Sequence, residues 1–182
     1  MKKLNLALAA VLSVVTLFGA AIPVNAASAE VTIEVKQTLM DNVSVTVPSS
    51  LPIVFNEDGT NTLPSTWKIE NISPVAGVHL AKIDMNGGTS GWKLLPNSVD
   101  TKTMDTDVQA IKLFVGKEGN LKLVAPDGGT ENVIGSIAFE EDEISVASGE
   151  NMELCFDIAR GAFTSPIATK KAFDMVLTFE FN

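Results

Sequence analysis

Apolar and polar residues alternate with a period of two along most of this chain, in short segments cut apart by Gly, Pro and Asx residues. That period sends successive side chains to opposite faces, which suits a half-buried strand and not a helix. Phe173, Met175, Leu177, Phe179 and Phe181 alternate with Asp174, Val176, Thr178 and Glu180, the cleanest such run. Val31, Ile33 and Val35 alternate with Thr32, Glu34 and Lys36; Val43, Val45 and Val47 alternate with Ser44 and Thr46 until Pro48 stops the pairing. Trp67, Ile69 and Asn71, then Ile137 and Phe139, then Met152, Leu154, Phe156 and Ile158 extend the pattern. Leu113 and Val115, with Leu121 and Leu123, bracket a hairpin around Lys117 to Asn120, and Glu57-Asp58-Gly59 and Pro126-Asp127-Gly128-Gly129 supply turns. From Val78 to Met85 the apolar phase slips between Leu80 and Ile83, as a bulge or a crossing between sheets would require. The segment from Asp105 to Val115 also fits helical spacing, and strand is preferred there; Asn97 to Thr106 reads as a long exposed loop. Roughly nine or ten strands at such intervals predict an all-β fold, an antiparallel two-layer β-sandwich of immunoglobulin-like or jelly-roll-like type.

The N-terminus predicts where that domain works. Lys2 and Lys3 precede an apolar run from Leu4 to Ile22, and small-residue cleavage patterns follow, ending at Ala26 or Ala29. This is the layout of a secretory signal peptide. The expected organisation is a signal peptide over 1–26 and a single β-sandwich domain over 27–182, a secreted chain that is extracellular or held non-covalently at the cell wall. No cysteine stands at the cleavage point, so no lipid anchor is expected, and nothing after the signal is long and apolar enough to span a bilayer. Without Lys2 and Lys3 the 13 basic side chains fall to 11 against 22 acids, a net charge of −11. Such a balance repels phosphate backbones and anionic lipid, which argues against nucleic-acid and membrane-surface partners. Cys155, the one cysteine, excludes an intramolecular disulfide, so stability must come from packing. Its neighbours in the alternation make it a partly exposed and inert thiol.

Catalytic patterns are hard to find, and no enzyme activity, cofactor or metal is expected. His79, the only histidine, falls on the polar phase of its strand and reads as a solvent-facing spacer. One His and one Cys cannot assemble an imidazole and thiolate metal site. Paired carboxylates of the kind that cleave glycosides are too common among 22 acids to be diagnostic. Asn56-Glu57-Asp58-Gly59-Thr60-Asn61 gathers oxygen atoms around a glycine as calcium loops do, but it lacks the alternating ligands and the terminal bidentate Glu, so a hairpin turn is the better reading. Glu140-Glu141-Asp142-Glu143 reads as a solvated loop that protects a sheet edge. Asn42-Val43-Ser44 and Asn71-Ile72-Ser73 match the glycan acceptor pattern.

Trp67 lies in an alternating strand and is placed in the core, whereas Trp92 follows Asn86-Gly87-Gly88 at the mouth of a loop. Trp92 either plugs one end of the sandwich or faces a ligand. Gly91-Trp92-Lys93-Leu94 and the distal run Phe173-Asp174-Met175-Val176-Leu177-Thr178-Phe179-Glu180-Phe181 together resemble the WxL-type cell-surface proteins of Gram-positive bacteria. Phe here replaces the Tyr, the Trp and the final Leu of the family's distal motif. The resemblance implies a secreted, non-enzymatic β-sandwich that binds peptidoglycan or other surface proteins, with Trp92, Leu94, Phe173, Leu177, Thr178 and Phe179 as the binding candidates. A second reading comes from the residues themselves. Glu30 to Gln37 alternates cleanly at the processed N-terminus and is followed by a hinge candidate from Leu39 to Asn42, which suits donation of a strand to the sheet of another copy. That reading makes the chain a structural subunit of an extracellular fibre or matrix.

Overall fold

A computed structural model of the chain describes residues 29–38, 44–56, 58–74, 76–87, 91–126, 133–164, 167 and 170–182. The expected signal peptide, the hinge candidate, Val43 with the Asn42 acceptor, Glu57 and the expected turn at Asp127-Gly128-Gly129 lie outside the described residues. The strands, in chain order, are β1 (Ala29–Thr38), β2 (Val45–Thr46), β3 (Ser50–Phe55), β4 (Asn61–Thr62), β5 (Lys68–Asn71), β6 (Val78–Gly87), β7 (Lys93–Leu94), β8 (Ala110–Lys117), β9 (Asn120–Leu123), β10 (Ala125–Pro126), β11 (Val133–Ala138), β12 (Ser145–Val146), β13 (Asn151–Glu153), β14 (Cys155–Arg160) and β15 (Lys170–Phe181). The helix among the described residues is one 3₁₀ turn, Thr101–Thr103, in the expected loop, capped by the Asp100 carboxylate accepting from the Lys102 N–H.

The fold is all-β and sandwich-like. A large sheet runs β10-β11-β6-β15-β1-β3-β4, with β12 also on β6; a second runs β13-β5-β2, and a third runs β14-β8-β7 with β9 on β8. One buried apolar cluster joins all three: Ile33, Leu51, Ile83 and Phe173 from the large sheet, Val45 and Ile69 from the second with Trp67 just before β5, Leu113, Val115 and Ile158 from the third. Each fully buried aliphatic or aromatic side chain contributes about 1.5–3 kcal/mol, so this cluster is the principal source of stability in a chain without a disulfide.

Two expectations about pairing are corrected. The described residues form fifteen strands where nine or ten are expected, because several are two-residue pairings too short for any periodic signal. The ladder is also not antiparallel throughout: β1 runs parallel to β15, and β7 runs parallel to β8. Those partners are distant in sequence or joined by a long loop, so no tight turn announces them.

The phase slip in β6 is a bulge. Against β15, Thr178 faces Lys82 and Phe179 faces Leu80, which skips Ala81. The Ala81 carbonyl accepts instead from the Phe139 N–H at 2.9 Å, and the Leu80 N–H donates to the Ile144 carbonyl at 2.9 Å. The bulge lets β6 serve β12 on one side of Ala81 and β11 on the other. It also overturns the placement of His79, which is only 8% exposed. Val78, His79 and Leu80 are buried in succession, and the His79 ring is paired through Nδ1 with Asn182 Oδ1 at 3.0 Å.

Candidate functional site

The Trp-x-Leu segment enters the structure at β7. Trp92 is 4% exposed and Leu94 is buried beside it. Trp92 packs on Phe55 of β3 (ring centroids 5.7 Å apart) and on Phe163 (6.0 Å), while Leu94 lies over Gly135 of β11, where a Cβ would collide with its Cδ1. The Trp92 Nε1–H is buried without a hydrogen-bond partner. Of the distal candidates, Phe173, Leu177 and Phe179 are buried on β15, and Thr178 alone is half-exposed. In this conformation five of the six candidate side chains are buried.

Arg160, the only arginine in the chain, closes the aromatic cluster. Its guanidinium lies 4.8 Å from the Phe55 ring centroid and 5.2 Å from that of Phe163, which themselves stack at 5.6 Å. It donates to Asn61 Oδ1 and to the carbonyls of Asn56, Thr60 and Gly161. These bonds tie the turn between β3 and β4 to the end of β14. Burial pushes the Arg160 pKa down, opposed by the charge of Asp58. Sequence reading passed over Arg160, although a lone arginine among lysines marks a position where a planar, multiply bonded cation is needed.

The turn at Asn56 to Asn61 is a hairpin: the Asn56 N–H donates to Thr60 O at 2.9 Å, and Gly59 has a φ of 85°. The Asp58 carboxylate accepts from the Thr60 hydroxyl and N–H, which hold its pKa below the ordinary value. Glu143, at the end of the acidic run, is half-buried and paired with Lys122. Among the described residues no three His, Cys, Asp or Glu side chains converge as a metal site. Asn71 is fully buried, its amide donating to the carbonyls of Ala76 and Val146, so this acceptor side chain is inaccessible in the fold. Cys155 is half-buried, and burial, then Glu153 and Glu118, raise its pKa.

The arrangement that sets this molecule apart is the seat of its first strand. β1 is an interior strand of the large sheet, parallel to β15 from Val31 opposite Lys170 to Thr38 opposite Thr178, and antiparallel to β3 from Ala29 opposite Phe55 to Glu34 opposite Ser50. Val31 and Ile33 point inward and are buried. The outward face carries charge. Lys36 lies 3.2 Å from Asp174 and Lys171 lies 2.9 Å from the same carboxylate, while Lys171 also pairs with Glu34. Residues three apart in a regular strand face opposite ways. Lys171 and Asp174 share a face because the register slips at this point: Thr32 faces Lys171 but Ile33 faces Phe173, leaving Ala172 as the extra residue. Burial alone would raise the Asp174 pKa, and pairing with Lys171 and Lys36 outweighs it, leaving the carboxyl below its usual range. Burial would likewise lower the Lys171 pKa, and Asp174 and Glu34 outweigh it, leaving the ammonium above its usual range.

Compared with protein families, with curated proteins and with solved structures, the chain matches none.

Proposed function

We propose that this chain is an exported, non-enzymatic structural subunit that joins copies of itself by strand exchange, β1 of one copy filling the seat between β15 and β3 of the next. The observation that carries the reading is the interior position of the first strand among the described residues, which would lie at the N-terminal end of the domain once the expected signal peptide is removed. A strand at the end of a domain can leave its seat without unthreading anything. Its departure bares two rows of backbone donors and acceptors, on β15 and β3, and the cavity that held Val31 and Ile33. Such a gap is filled best by another copy of the same strand. The subunit works outside the cell, free or held non-covalently at the wall. The burial of Trp92, Leu94, Phe173, Leu177 and Phe179 favours this reading over wall binding through those side chains.

A disulfide trap tests it. Thr32 faces Pro52 across β1 and β3, and neither side chain is in the buried core. Thr32→Cys is placed in one chain and Pro52→Cys in a second, isotope-labelled chain, both with Cys155→Ser. After the two are refolded together at high concentration, exchange yields a covalent heterodimer linking residues 32 and 52, identified by peptide mass mapping. Absence of that link, with both variants folded by circular dichroism, refutes the reading.

A further inference from the structure

We infer that Glu34, Lys36, Lys171 and Asp174 form a charge code by which the seat of one copy selects the β1 strand of another copy of this chain, an inference that rests on the strand-exchange reading above. Glu34 and Lys36 belong to the strand that would be donated, Lys171 and Asp174 to the strand that would receive it. Two of the three ion pairs therefore cross the junction that exchange would make intermolecular. The third, Lys171 with Asp174, lies within the seat and presents it as an ordered pair of opposite signs.

The geometry gives this pair its selectivity. Glu34 stands directly opposite Asp174 in the register. Like charges so placed repel. The repulsion is relieved only because Lys171 reaches Glu34 and Lys36 reaches Asp174. A strand with the signs exchanged at positions 34 and 36 would set a cation against Lys171 and an anion against Asp174. A two-residue slip of β1 toward the end of β15 would leave Thr32 opposite Asp174 and Glu34 opposite Val176, which abolishes both crossing pairs. The receiving pair exists on one face only through the extra residue at Ala172, so the irregularity that would weaken the ladder has a role in recognition. Exposed ion pairs add little to fold stability, but they discriminate strongly between matched and mismatched partners.

The experiment uses the processed chain from Ala27 onward in two full-domain variants, Glu34→Lys and Lys171→Glu, one of them isotope-labelled. Refolded alone, Glu34→Lys sets cations at 34 and 171 against each other, with Asp174 compensating in part, and Lys171→Glu gathers three carboxylates at 34, 171 and 174. Refolded together, a reciprocal exchange matches both seats, because a residue 34 lysine meets a residue 171 glutamate in one and the native pair forms in the other. Native mass spectrometry is expected to find the mixed species in about tenfold excess over a random mixture, shrinking toward random at about 1 M salt as screening removes the charge term. The doubly substituted chain Glu34→Lys/Lys171→Glu controls for folding and is expected to exchange with itself as the unsubstituted chain does. A random mixture of the single variants, with unsubstituted chains exchanging freely, overturns the charge code and leaves strand exchange standing. Failure of labelled and unlabelled native chains to form any mixed species overturns both.

Discussion

Replacing Trp92 separates a core side chain from a binding side chain more sharply than any other substitution in this molecule. The indole is 4% exposed and wedged against Phe55 and Phe163, whose rings also carry the Arg160 guanidinium. Truncation to alanine removes its contacts with both rings, and buried Trp→Ala or Phe→Ala changes cost about 3–5 kcal/mol. Against a total stability of about 5–15 kcal/mol this is a large fraction. For a domain of this size it lowers the melting temperature by roughly 6–20 °C. Trp92→Phe behaves differently. It loses part of the ring but also removes a buried N–H that has no partner, and an unmade bond of that kind costs about 1–3 kcal/mol. The two effects offset, so Trp92→Phe is expected within about 1 kcal/mol of the native chain. The assay is urea unfolding followed by far-ultraviolet circular dichroism, since fluorescence would lose one of only two tryptophans. A cost for Trp92→Ala below about 1 kcal/mol would refute the core assignment, because no packed aromatic of this burial is so cheaply removed.

Two further perturbations probe buried and paired polar groups. Asn71→Ala removes donations to the carbonyls of Ala76 and Val146 and the acceptor of the Ser73 N–H, and is expected to cost about 2–4 kcal/mol in the same urea assay, these groups being left buried and unpaired. For Asp174 the folded pKa lies below the ordinary value, so its pairing stabilises the fold above the ordinary carboxylate range and is lost as pH falls through the depressed value. Lys171 is the mirror case: its folded pKa is raised, and its contribution is present below the ordinary lysine value and lost as pH rises through the raised one. Stability of Asp174→Asn, measured from neutral pH to below about pH 4, is expected to fall less steeply than that of the native chain. Parallel curves would show that the pairing is not made in solution.

The parts of this fold that were legible in the sequence are those whose cause is local. β15 is recognisable because one of its faces is buried from Phe173 to Phe179, so Phe173, Met175, Leu177 and Phe179 keep strict phase, and Phe181 at its end is exposed. The slip between Leu80 and Ile83 showed itself because a bulge shifts the buried face by one residue. The turns at Gly59 and Gly119 showed themselves because both glycines take positive φ, a demand met by few other residues. What stayed hidden is non-local. Nothing in Val31-Thr32-Ile33 tells that its neighbour is Phe173 rather than the edge of another molecule, since alternation reports burial on one face and is blind to which strand lies alongside. His79 occupies the polar phase and is buried all the same, because Asn182 satisfies its ring from the far end of the chain. Arg160 and the charged face of β1 were missed for the same reason: their partners at Phe55, Asn61, Lys171 and Asp174 are brought together by topology alone.

The same non-locality bears on how copies would meet. Among the described residues β1 is the first strand and β15 the last, and they lie side by side, so the seat for β1 is complete only when β15 has folded. Pairings between such distant segments form late, because the closure entropy of the whole intervening chain must be met before the contact rewards it. As the chain is made from its N-terminus, β1 would wait unpaired through the appearance of the other described strands. During that interval its alternate apolar side chains and open backbone are available to any finished seat nearby, and the seat of a neighbouring copy offers the same β15 and β3 ladders and the same Lys171–Asp174 pair as its own. Under the strand-exchange proposal, intramolecular closure and exchange would then compete for one strand, with local concentration as the deciding variable. The proportion of exchanged species should therefore rise with concentration during refolding and stay fixed once folding is complete, because β1 is held from both sides thereafter.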